Sequence, residues 1–102
     1  MLNQLVLVGK LVDTPEINTI EDRKKATITI SVGRSFKNAD GIYEFDNIPV
    51  VLWDGMVENA TEYLNKGDLI GIKVRLQAEE DKIVVVAEKV TFLSSAKKEE
   101  EK

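Results

Sequence analysis

The sequence lacks two of the side chains that most often carry out catalysis. Histidine and cysteine are both absent. That excludes a Ser-His-Asp triad, a cysteine nucleophile, a thiolate zinc site and any disulfide framework. A hydrolase built on carboxylates alone remains open in form. Its best candidates, Glu79, Glu80 and Asp81, are adjacent and have no apolar neighbours to raise a pKa. They read as a solvated turn, so neither an enzyme nor a cofactor is expected.

The remaining chemistry is recognition by rings and cations. Aromatic rings stack on exposed bases for about 1–3 kcal/mol per base, and lysines or arginines beside them hold phosphates. Trp53, the only tryptophan, sits where an apolar run hands over to a short helix pattern. Phe36 lies in a polar stretch flanked by Arg34 and Lys37. Lys73 and Arg75 are two apart on a strand-like run and so share a face. Each has a plainer reading. Trp53 suits a core position at a strand end, and Lys73 and Arg75 suit the solvated side of an amphipathic strand. Lys24 and Lys25, beside Glu21, Asp22 and Arg23, look like a mixed surface turn.

The elements that must position these residues follow from periodicity. Leu2 to Val12 is apolar-rich with Gly9 at its middle, which suits a first strand that bends inside a small closed barrel. Asp13 to Glu16 reads as a turn. Ala26 to Val32 alternates strictly, with Ala26, Ile28, Ile30 and Val32 on one side. Asn38-Ala39-Asp40-Gly41 signals a hairpin, and Ile42 to Leu52 returns as a strand. Pro49 lacks a donor and marks an edge or a bulge there. Asp54 is placed to cap a helix with Met56, Val57, Ala60, Tyr63 and Leu64 on one face, and Gly67 is placed to end it. Leu69 to Gln77 and Lys82 to Leu93 form the last hairpin. Three strands, one short helix and two strands make the order of an OB-fold, the five-stranded Greek-key barrel of the all-β class.

At 102 residues with 43% apolar content, the chain reads as one domain. The barrel is expected over 1–93, and a short, charged, disordered tail over 94–102. No apolar run is long enough to span a membrane, and no signal peptide is read, so a cytoplasmic location is expected. Net charge is −4. A nucleic-acid binder needs a local basic face rather than a positive total.

Several segments together resemble the bacterial single-stranded DNA-binding protein family. Met1-Leu2-Asn3-Gln4 with Val8-Gly9-Lys10 is similar to the family's opening. Thr14-Pro15-Glu16-Ile17, Ala26-Thr27-Ile28-Thr29 and Arg34-Ser35-Phe36-Lys37-Asn38-Ala39-Asp40-Gly41 resemble further family segments. The spacing from Phe36 to Trp53 matches without a gap. The resemblance implies sequence-independent binding of single-stranded DNA in replication, recombination or repair, in the cytoplasm and associated with the nucleoid. It places Phe36 and Trp53 on stacking positions, with Lys10, Arg34, Lys37, Lys73 and Arg75 as phosphate holders. It also implies a homo-oligomer, dimer or tetramer, assembled through the first strand.

Three departures accompany the resemblance. A further stacking position falls on Asn47, for which Tyr43 and Phe45 share the strand parity and can substitute. The last hairpin is reduced to Gln77–Lys82 and carries three acids. The tail Ser94–Lys102 lacks the acidic, Pro-Phe-type tip that docks partner enzymes, so replication proteins are not expected to be recruited by that route. Two rival readings follow from these departures. One is a primosomal accessory protein that binds single strands weakly and acts through replication-restart partners. The other is an OB-fold protein-interaction module without nucleic-acid binding.

Overall fold

The computed structural model describes residues 2–95. Its strands are β1 Leu5–Leu11, β2 Glu16–Ile20, β3 Arg23–Lys37, β4 Tyr43–Trp53, β5 Leu69–Glu79 and β6 Lys82–Ser94, with one helix, α1 Gly55–Tyr63, between β4 and β5. Pairing runs β1-β5-β6-β4-β3, and β1 then meets β3 again at Lys10–Ser31 and Leu11–Ile30. Those five strands close the barrel expected from the sequence, with the helix after the third of them. All ladders are antiparallel except the closing contact, where β4 meets β6 in parallel at Val51–Val86. No helix among the described residues is long and apolar enough to cross a membrane.

Closure depends on Gly9. A Cβ there would lie 2.2 Å from the backbone oxygen of Ser31. Only a glycine lets β1 come that close to β3 as it turns from one neighbour to the other. The core follows strand alternation. Ala26, Ile28 and Ile30 of β3 meet Val50 and Leu52 of β4, Ile70, Ile72 and Val74 of β5, and Leu11 of β1. Val57 and Ala60 of α1, and Leu64 just after it, join this cluster, while Tyr63 is exposed rather than packed inward.

Four local expectations are corrected. The residues after the Asp13 turn form a further strand, β2, whose connection to β3 is Glu21-Asp22. Both residues have positive φ, 48° and 66°, as a two-residue type I′ hairpin requires. Asp54 occupies the helix N-cap position but makes no side-chain cap. Its carboxylate is held by Arg23 instead. The helix ends at Leu64 in extended backbone, three residues before Gly67. Gly67 instead takes φ 91° and donates its N–H to the carbonyl of Leu11 at 2.7 Å. Finally, β6 includes Ser94, one residue beyond the Leu93 expected to end the last strand. Of the expected tail, residues 96–102 lie outside the described residues.

Pro49 fits its expected position. Beside it β4 is paired with β3 through Thr29, and β6 reaches β4 only at Val51. The last hairpin is tighter than expected: Glu79 pairs with Lys82, leaving only Glu80-Asp81 to turn.

Candidate nucleic-acid interface

The β3–β4 ribbon has one face in the core and one outside. Along β4 the even residues Val50 and Leu52 are buried, so the odd residues point outward. Those are Tyr43, Phe45, Asn47, Pro49, Val51 and Trp53. Cross-strand partners share a face, which extends the outward surface onto β3. Its pairs are Lys25–Trp53, Thr27–Val51, Thr29–Pro49, Ser31–Asn47 and Gly33–Phe45, then Lys37–Tyr43 beyond an irregularity in β3. Two contacts support this register. The Phe45 ring lies across Gly33, 3.2 Å from where a Cβ would stand. The Lys37 ammonium lies 5.6 Å from the Tyr43 ring centre.

Phe45 is 66% exposed and Tyr43 53%. Phe36 is 62% exposed and belongs to the irregular stretch between Gly33 and Lys37. This arm is held by its turn. Asn38 Oδ1 accepts the N–H groups of Asp40 and Ile42 at 2.9 and 3.0 Å, and Gly41 supplies φ 78°.

Trp53 is half-buried at the other end of the face. Cations surround it. The Arg23 guanidinium carbon is 4.5 Å from the ring centre and the Lys25 ammonium 5.6 Å. Arg23 is anchored in turn, with Nε and a terminal nitrogen donating to Asp54 Oδ2 at 3.2 and 2.8 Å. That hydrogen bond, aided by the opposite charge, holds the Asp54 carboxyl below the usual carboxylate range. Concavities open on two sides of the ring. One, about 680 Å³, brings in Arg23, Arg75 and Glu88. The other, about 380 Å³, brings in Lys25, Glu79, Glu80 and Lys82. Glu79 and Glu80 of the shortened hairpin therefore stand beside the tryptophan.

The expected phosphate holders separate into groups. Lys10 is exposed and pairs with Ser31, which puts it beside the middle of the outward face. Lys37 lies at the arm. Arg75 joins the Trp53 end, with Glu88 at 3.8 Å. Lys73 pairs with Val6 and Lys89 on the β1–β5–β6 wall, away from the β3–β4 face. Arg34 is not brought to the face. It donates to Asp46 at 2.8 and 3.0 Å and to Glu44 at 3.3 Å, and those acids alternate with the outward residues of β4. The hydrogen bond from Arg34 also depresses the Asp46 carboxyl. Sequence reasoning missed Arg23 and Lys25, which it placed in a surface turn.

The family model of the single-strand binding protein family matches residues 2–93. The chain belongs to this family. Among curated members of the single-strand binding protein family, "Single-stranded DNA-binding protein 1" of Clostridium acetobutylicum is 35% identical, over 94% of this chain and 97% of its own length. "Single-stranded DNA-binding protein 3" of Listeria innocua is 40% identical, over 93% of this chain and 66% of its own length. "Single-stranded DNA-binding protein B" of Bacillus subtilis is 41% identical, over 76% of this chain and 69% of its own length. The crystal structure of the SSB domain of a Synechococcus protein superposes with a TM-score of 0.69 at 16% identity, covering 89% of this chain and 96% of that one. That likeness concerns the fold, and it agrees with an OB barrel reached independently from strand order.

Proposed function

We propose that this chain binds single-stranded DNA without sequence preference and performs no chemical step. The supporting observation is the outward β3–β4 face, which carries the rings of Tyr43, Phe45 and Trp53 with Arg23, Lys25 and Lys37 beside them. Trp53 stacks on a base, and Phe45 and Tyr43 stack at the arm, with Phe36 on the same arm. Lys10, Lys25 and Lys37 hold phosphates, and Arg75 assists at the Trp53 end. The role is coating and protection of exposed strands in replication, recombination or repair, in the cytoplasm and associated with the nucleoid.

The functional unit is a homo-oligomer. Along Leu5–Val8, β1 is paired only with β5, and Val6 is 72% exposed. An apolar strand with a free edge is a template for pairing with a second copy.

Titration with a thymidine oligonucleotide, followed by Trp53 fluorescence, tests the binding. Stacking predicts strong quenching. Phosphate contacts predict weakening with salt, with a slope near −0.7 per contact for single strands, or about −3 for four contacts. Absence of both binding and quenching at low salt overturns the proposal.

A further inference from the structure

We infer that the strand is gripped at two separate aromatic ends of the β3–β4 face, and that the middle of the face holds its backbone without stacking its bases. The inference rests on single-strand binding at this face and specifies how the face divides.

Between Phe45 and Trp53 the outward residues of β4 are Asn47, Pro49 and Val51, and those of β3 are Ser31, Thr29 and Thr27. None is aromatic, so none offers a flat π face to a base. The middle carries hydroxyls, one amide and the Lys10 ammonium, which reaches it through the Lys10–Ser31 pairing. Those groups suit phosphate and sugar oxygens. The two ends differ in the opposite sense. At one, Trp53 is bracketed by Arg23 and Lys25. At the other, Phe45 and Tyr43 stand with Lys37. Phe45 and Trp53 are eight residues apart on one strand, about 26 Å at a rise of about 3.3 Å per residue. That is about eight nucleotides at a stacked spacing of about 3.4 Å, and fewer if the strand is drawn out.

Two linked weak grips behave differently from one continuous groove. Once a ligand reaches both, the second contact becomes intramolecular and affinity rises abruptly. Thymidine oligonucleotides of three to twelve residues, titrated against the full chain, should show a step of tenfold or more as the length comes to span both ends. Twelve-residue oligonucleotides carrying abasic spacers provide the second arm. Three spacers in the centre should weaken binding by less than threefold, and the same three at either end by more than tenfold. Trp53→Ala, and Tyr43→Ala combined with Phe45→Ala, should each abolish the length step, with the shortest oligonucleotides then held only through the surviving end.

An even rise in affinity with length, together with equal losses for central and terminal spacers, overturns the two-ended grip and leaves single-strand binding standing. Failure of every oligonucleotide to bind at low salt overturns binding itself.

Discussion

At the scale of single residues, Trp53 has both of the characters that sequence left open. It is half-buried at a strand end, as a core residue would be, and cations sit over its ring, as at a binding platform. Trp53→Ala should cost about 1–3 kcal/mol of single-strand affinity, the usual contribution of one stacked base, measured with a labelled oligonucleotide because the intrinsic fluorophore is lost. Asp54 and Asp46 offer a separate check on the two arginine clamps. Both carboxyls are held below 3.8, chiefly by hydrogen bonds from Arg23 and Arg34 respectively. A depressed folded-state pKa gives stability that is present above the unfolded value and lost as pH falls through the folded one. Both clamps are thus intact at neutral pH and open only in acid, as each carboxylate takes up its proton. Carboxyl NMR titration should place both midpoints under 3.8, moving back toward it in Arg23→Ala and Arg34→Ala respectively. Unchanged midpoints in those variants would mean that the clamps do not form in solution.

Among the elements, the barrel strands and the helix were legible because burial imposes a period. The alternation of Ala26, Ile28 and Ile30 and the apolar face of α1 follow directly from which side meets the core. β2 was less legible because all of its residues are exposed, so nothing in its composition marks one side as buried. The residues opposite Trp53 were hidden for a different reason. Register carried back from the Asn38–Gly41 turn, where Lys37 faces Tyr43, would set Trp53 against Thr27. The irregularity between Gly33 and Lys37 shifts it by two, onto Lys25. A shift of two preserves which face each side chain takes, so the outward set of β4 was predictable while its neighbours were not. Gly9 gives the test at this scale. Gly9→Ala would press a methyl into the Ser31 carbonyl, and overpacking of this kind costs about 1–3 kcal/mol. A lower urea midpoint with unchanged slope is expected; an unchanged midpoint would mean that barrel closure does not depend on the close approach of β1 to β3 at Gly9.

For the whole molecule, the balance of charge sets how binding must be achieved. The chain carries −4 overall, and Arg23 and Arg34 are already engaged by carboxylates. A single copy therefore offers few unpaired cations to a strand, and several copies on one strand compensate through avidity. The proposed assembly would use the outer surface of β1. Val6 and Val8 point away from the core, and Gly71 leaves a shallow seat between Val8 and Leu93, with a Cβ there 3.9 and 3.7 Å from those side chains. The double substitution Val6→Glu and Val8→Glu puts like charges on this surface without touching the core. Light scattering should find the unmodified chain as a dimer or tetramer at tens of micromolar, and the doubly substituted chain as a monomer. Because the β3–β4 face is untouched, the monomer should hold a twelve-residue oligonucleotide within about threefold of the parent affinity, yet lose tenfold or more on strands long enough to contact several copies. A parent chain that is already monomeric, or a double variant that still assembles, would remove β1 as the interface. Equal loss on short and long strands would show that assembly is needed to build the face itself.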